Sequence, residues 1–357
     1  MAVTLQTLAP ATAAAAGGRP LHARGRIRSD AFDTTLLYAP VLSGLVTAVA
    51  AGANPVLFPV LLFADLWLLG YHHVVATYTR LAFDWQSLRQ NRALAVDLLF
   101  VMLAVTVAVS AVTGAWVIAS TFLYLQWFHY MRQSYGVARM YFRATPDGAE
   151  AGARDRVADL VIYLVPIYGI AHRSAVMGDA FLGLPVKTVV LPGVVVAALG
   201  ALAAVATAAW LIRVVRATAR GALQTSYEGY VLSHVAIFSA SYVLIDDANV
   251  GWLAINVWHN LQYVLVVWMT NARRWSGGID PEARFISTIS QPNRVVAYFA
   301  SCLAISTVLY VVLGRFTVLA VGGGLAATAG IYMGINFHHY IVDALIWKRR
   351  RTAAQPA

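Results

Sequence analysis

The sequence predicts an all-α fold: a polytopic transmembrane helical bundle of about ten spans, with both termini in the cytoplasm. Three observations carry this. Hydrophobic residues make up 60% of the 357 and charged residues only 12%, with mean hydropathy +0.66, whereas a soluble chain of this length needs more charge to cover its surface. Apolar runs of roughly 18 residues or more recur along the chain, as membrane-crossing helices require, and the short alternating segments of a β-barrel are not seen. The cations also fall on one side of the spans.

Residues 1–33 are rich in Ala, Thr, Gly and Arg and are expected to form a disordered basic arm. The arm lacks the basic-then-apolar order of a cleavable signal peptide, so the first span is expected to act as the insertion signal. A transmembrane domain over 34–347 follows, with spans at 35–52, 56–79, 94–114, 116–138, 158–174, 189–213, 229–246, 251–270, 295–314 and 319–346, then a cytoplasmic tail at 348–357. Pro55, Pro146, Pro185 and Pro292 mark span edges, and Pro166 inside the fifth span predicts a kink. Gly322, Gly323 and Gly324 would permit close helix contact in the tenth span.

All but three of the 26 Lys and Arg residues cluster before span one or after spans two, four, six, eight and ten; the exceptions are Arg173, Lys187 and Arg315. Positive charge marks the cytoplasmic side, so every even-numbered span ends there, and an odd number of spans would scramble the partition. The net charge of +10 is thereby assigned to membrane insertion rather than to nucleic acid, and no nucleic-acid partner is expected. The single cysteine, Cys302, lies in a span and leaves no basis for disulfides or a thiolate metal site. The expected location is a bacterial-type inner or plasma membrane.

Of nine histidines, His22 lies in the arm and His172 near the outer end of span five. The other seven, His72, His73, His129, His234, His259, His338 and His339, are expected at or near the cytoplasmic half of the bilayer, on five helices. Polar residues are costly in spans and usually face a bundle interior. Polar neighbours accompany these histidines at helical spacing: Asp65 precedes His72, Gln133 follows His129, Gln262 and Tyr263 follow His259, and Asp343 follows His339. A carboxylate or amide so placed can fix an imidazole's tautomer. One such histidine could serve packing alone, but seven at one depth point to a shared site.

Neutral imidazole is the commonest biological metal ligand, and imidazole with carboxylate and no sulfur suits iron, copper or zinc. Adjacent helix residues point about 100° apart. In each doublet the two rings could therefore reach different metals, or one could bind while the other supports it. The candidate ligands are His72, His73, His129, His259, His338 and His339, with Asp343 as a further ligand or bridge and His234 nearby. The first set would supply three nitrogens to each of two irons. Tyr263, Gln262 and Gln133 are the candidate catalytic side chains, and Tyr130, Tyr135 and Tyr340 are further candidate proton or hydrogen-bond donors.

With "YHH", "FHHY" and the number and depth of these histidines, the chain resembles the integral-membrane, histidine-rich non-haem di-iron oxygenases, such as desaturases, hydroxylases and alkane monooxygenases. It also resembles the carotene-cleaving membrane oxygenases in bearing histidines on separate helices. The His-x-x-x-His and His-x-x-His-His boxes of the desaturases are absent, so only a class of chemistry is implied. That class is O2-dependent hydroxylation, desaturation or cleavage of a lipid-soluble substrate at a dinuclear non-haem iron site, with electrons from a cytoplasmic donor protein docked near Arg80, Arg139, Arg143 and Lys348. Three alternatives stand beside it: a haem b or haem–copper redox protein, a metal-ion or proton transporter, and a zinc-dependent hydrolase.

Overall fold

A computed structural model describes residues 25–150, 152–321 and 325–349. The basic arm through residue 24, the triplet Gly322, Gly323 and Gly324, and the tail from residue 350 lie outside these residues. The described chain is helical apart from one small hairpin. In order it forms α1 (Asp30–Ala53), α2 (Leu57–Asp65), α3 (Tyr71–Tyr78), α4 (Trp85–Arg92), α5 (Leu98–Thr113), α6 (Ala115–Arg143) and α7 (Arg156–Val176). After the hairpin β1 (Ala180–Phe181) and β2 (Leu184–Pro185) come α8 (Gly193–Ala219), α9 (Thr225–Ser239), α10 (Ala248–Arg274), the short α11 (Arg284–Ile289), α12 (Val295–Val321) and α13 (Leu325–Arg349). Among the described residues five stretches are long and apolar enough to cross a membrane: Asp30–Ala53, Leu57–Tyr78, Trp85–Thr113, Gly193–Ala219 and Val295–Leu319.

Local sequence explains where the helices begin. Ser29 caps α1 by accepting from the Phe32 amide, and the Asp33 carboxylate accepts the amides of Ile27, Arg28 and Ser29. Asp84, Asp155 and Asp247 cap α4, α7 and α10 in the same way. The helix of α7 runs unbroken through Pro166, where a kink was expected. The hairpin, which the hydropathy pattern does not reveal, turns through Leu182 (φ 50°) and Gly183 (φ 77°), the left-handed pair that suits a tight two-residue turn.

Three π-helical turns interrupt the rods: Leu66–Gly70 joins α2 to α3, Ala93–Asp97 joins α4 to α5, and Ala240–Leu244 extends α9. Such turns loosen the backbone ladder and recur at functional sites. The last one ends on Arg173, whose guanidinium donates to the carbonyls of Ser241, Ile245 and Asp246.

α10 forms the centre. Its residues Val250 to Asn260 are buried without exception, and it packs on α1 and α3. Gly44 lets α1 approach closely, since a Cβ there would run into the Ala254 carbonyl of α10. Gly334 does the same for α13, where a Cβ would strike the Thr106 hydroxyl of α5. α13 leans on α5 and α6, α12 on α3, and α7 on α8 and α9. Large apolar side chains point outward from α5, α8 and α12, among them Phe100, Val112, Val194, Val205, Val312 and Phe316. Such a surface suits hydrocarbon better than water.

Candidate metal centre

Four helices each deliver one imidazole to a single spot: His73 from α3, His129 from α6, His259 from α10 and His339 from α13. None of the four is more than 5% exposed. The Nε2 atoms of His73 and His339 lie 2.7 Å apart. One ring nitrogen from each of His73, His129 and His259 lies within 4.8 Å of the others. Ring centroids are 4.8 Å apart for His73 and His259, 4.9 Å for His129 and His259, and 5.0 Å for His129 and His339. Within the cluster His73 Nδ1, His129 Nε2 and His259 Nδ1 have no hydrogen-bond partner, as is also true of His72 Nε2 and His234 Nε2 outside it. Buried polar atoms are rarely left so. First-row metals bind imidazole at about 2.0–2.1 Å, which sets tetrahedral ligand nitrogens roughly 3.4 Å apart. The ring nitrogens of His73, His129 and His259 stand wider than that, within 4.8 Å of one another, and those of His73 and His339 closer, at 2.7 Å.

The rings are braced by tyrosines. Tyr263 stacks on His73 (centroids 3.9 Å apart, planes 6° apart), Tyr340 on His129 (4.6 Å), and Tyr130 packs on His259 (4.3 Å). A directional chain fixes His339. The Tyr263 hydroxyl donates to Asp343 Oδ1 at 2.7 Å and lies 2.9 Å from Thr77 Oγ1, which lies 3.0 Å from His339 Nδ1. With the Tyr263 proton turned to the carboxylate, Thr77 donates to Tyr263 and accepts from His339 Nδ1–H. The Nε2 lone pair of His339 is then directed at the cluster, the arrangement a metal-bound imidazole needs.

A second polar layer lies on the other side of the rings. Asp65 accepts from the amides of Asn256 and Asn260, Tyr130 donates to Asn256 Oδ1, and Trp252 donates to Gln126. Between this layer and the imidazoles is a cavity of about 180 Å³, lined in part by His73, His259, His339, Tyr130, Asn256 and Tyr340.

The other sequence-predicted residues are placed elsewhere. His72 sets its ring edge-on to Phe299, 5.2 Å away. His338 donates from Nε2 to the Leu94 carbonyl in a π-helical turn (2.6 Å), and its Nδ1 lies 3.1 Å from the Tyr78 hydroxyl. Neighbours 100° apart on a helix cannot both face one point, so each doublet sends one ring inward and one to a neighbouring helix. A six-imidazole, two-ion arrangement is therefore not formed; four rings meet. His234 bonds Ser134 through Nδ1 at 2.7 Å. Asp343 is linked to the cluster through Tyr263 and Thr77. Gln133 donates to the His259 carbonyl and to Gln262, which also accepts from Tyr230. Tyr263, Gln262 and Gln133 do not line the cavity.

Sequence reasoning missed Thr77 and Asn260. Thr77 is four residues after His73 and Asn260 follows His259, so both were within reach of the spacing argument. No family model, curated protein or solved structure matches this chain.

Proposed function

We propose that the chain is an integral-membrane metalloenzyme in which His73, His129, His259 and His339 hold one metal ion, and that it oxidises a lipid-soluble substrate with O2. The observation that carries this is a group of three buried imidazoles, His73, His129 and His259, whose ring nitrogens lie within 4.8 Å of one another, with His339 packed against His73 and His129. An all-imidazole donor set suits iron, copper or zinc, and iron fits the oxidative chemistry that the resemblance to membrane di-iron oxygenases and carotene-cleaving oxygenases implies. A single ion replaces the dinuclear site expected from the two doublets, because only four rings converge. Bound iron would supply O2 activation, with electrons from a cytoplasmic donor. The protein's own part is to exclude water, to hold four lone pairs on one point and to present the cavity beside them. In this reading the ten helical segments cross an inner or plasma membrane, both ends lie in the cytoplasm, and the cluster sits in the inner half.

Haem fits poorly. Axial imidazoles flank a macrocycle, and 2.7 Å between His73 and His339 Nε2 leaves no room for one. The polar layers on both sides of the rings, Asp65 with Asn256 and Thr77 with Asp343, favour one rival: the ion is cargo and the layers mark its path. Elemental analysis of detergent-purified protein, before and after extended chelation, tests both. Retained iron near one per chain, with an optical or paramagnetic signature, supports the enzyme. Absence of any metal would sink it, and metal-dependent flux into proteoliposomes would assign the rival.

A further inference from the structure

We infer that the cavity beside the imidazoles receives the oxygen-bearing end of an elongated apolar molecule, held by the Tyr340 hydroxyl and admitted between α12 and α13 past Tyr71, Tyr310 and Tyr332. The inference rests on the reading of this cavity as the reaction chamber.

Size comes first. The cavity holds about 180 Å³, and a cavity of about 150 Å³ takes one benzene ring. There is room for the head of a lipid-soluble molecule but not for a whole acyl or isoprenoid chain. The rest must leave the chamber.

The wall shows where. Tyr71, Tyr310 and Tyr332 line the cavity, one each from α3, α12 and α13. Tyr71 and Tyr310 stack with centroids 3.6 Å apart and planes 9° apart, and Tyr332 lies 5.9 Å from Tyr310. Among the described residues α12 packs chiefly on α3, and α13 on α5 and α6, with fewer residues of α12 and α13 facing each other. At the cavity the rings of Tyr310 and Tyr332 stand between the two helices. Rotamer changes can part stacked rings without moving backbone. On α12, within two residues of Tyr310, Val308, Val311 and Val312 are exposed and apolar, a surface suited to a hydrocarbon tail.

The chemistry of the head follows from hydrogen bonding. The polar groups of Gln126, Asn256, Tyr130 and Asp65 already satisfy one another. The Tyr340 hydroxyl is buried at the cavity wall with no partner, while its ring is fixed against His129. A hydrocarbon would leave that hydroxyl unpaired. An alcohol, aldehyde or ketone supplies the missing acceptor, and the bond would set the head against the four imidazoles.

The test is photolabelling of the full chain in phosphatidylcholine nanodiscs after removal of metal with a chelator. The probe is dodecanol carrying a mid-chain diazirine, with unlabelled dodecanol or dodecane as competitor. Expected is label on peptides bearing Tyr310 or Tyr332, with dodecanol competing about tenfold better than dodecane. Tyr340→Phe keeps the ring stack and should retain that label while the preference falls below about twofold. Label confined to other helices, no preference in the wild type, or an unchanged preference in Tyr340→Phe would overturn the inference. Because this readout needs no metal, its failure is distinct from failure of the metal reading.

Discussion

His73 and His339 turn their Nε2 atoms toward each other across 2.7 Å, although 266 residues separate them. Two lone pairs cannot sit so close unaided. Either one ring carries a proton or both share an ion, and the Thr77 contact at His339 Nδ1 disposes the second ring for an ion.

The doublets give a sharp contrast. Alanine at His73, His129, His259 or His339 should cut bound metal at least about tenfold, since each removes one of four ligands. Alanine at His72, His338 or His172 should leave it near the wild-type level. Metal-to-protein ratios of variants that elute like wild type on size exclusion decide this, and loss of metal in His72→Ala to the same degree as in His73→Ala would break the assignment.

The chain from Asp343 to His339 runs through two hydroxyls, those of Tyr263 and Thr77, and Thr77 makes the contact to the ring. Thr77→Val keeps the shape and removes the link, so affinity for Co²⁺ should fall by about 10–100-fold, the usual cost of losing such a support. Thr77→Ser should restore it. Titration followed by visible absorption of Co²⁺ reads both, and equal affinities for Val and Ser would show that Thr77 serves packing alone.

Gly44 allows α1 to lie against the Ala254 carbonyl of the central helix. Gly44→Val should force the helices apart and destabilise the protein by about 1–3 kcal/mol. Denaturant unfolding in detergent measures it. Val at Gly52, where a Cβ meets nothing nearby, should cost far less.

Arg173 satisfies three carbonyls at the end of the α9 rod while only 3% exposed. Arg173→Met should lose about 1–3 kcal/mol, because the freed Ser241 carbonyl stays buried. Metal content in the surviving folded fraction should not change, as Arg173 is remote from the imidazoles in the hydrogen-bond network. A parallel loss of metal would tie the two regions together.

The apolar runs and the cation spacing made the helical segments legible before any coordinates. Each of the ten expected segments carries helix, although α12 extends to Val321, past the expected edge of the ninth. From helical spacing seven histidines were expected at one shared site, and in the fold four of them, His73, His129, His259 and His339, pack together. Which ring of each doublet faces inward was not legible. That depends on the rotation of α3 and α13 about their axes, which Gly334 and the Leu66–Gly70 turn set through contacts with distant helices. The cavity was equally hidden, since Tyr71, Tyr310 and Tyr332 come together only in the fold.

The wide turn at Leu66–Gly70 accommodates one residue more than an α-helix of the same rise would. Wound normally, those residues would swing everything after them by about 100° and carry the His73 ring away from His129 and His259. Excising one of them instead should let the rod relax with its angular phase intact. The choice between His72 and His73 is thus written a full turn upstream, in a stretch that has no histidine at all.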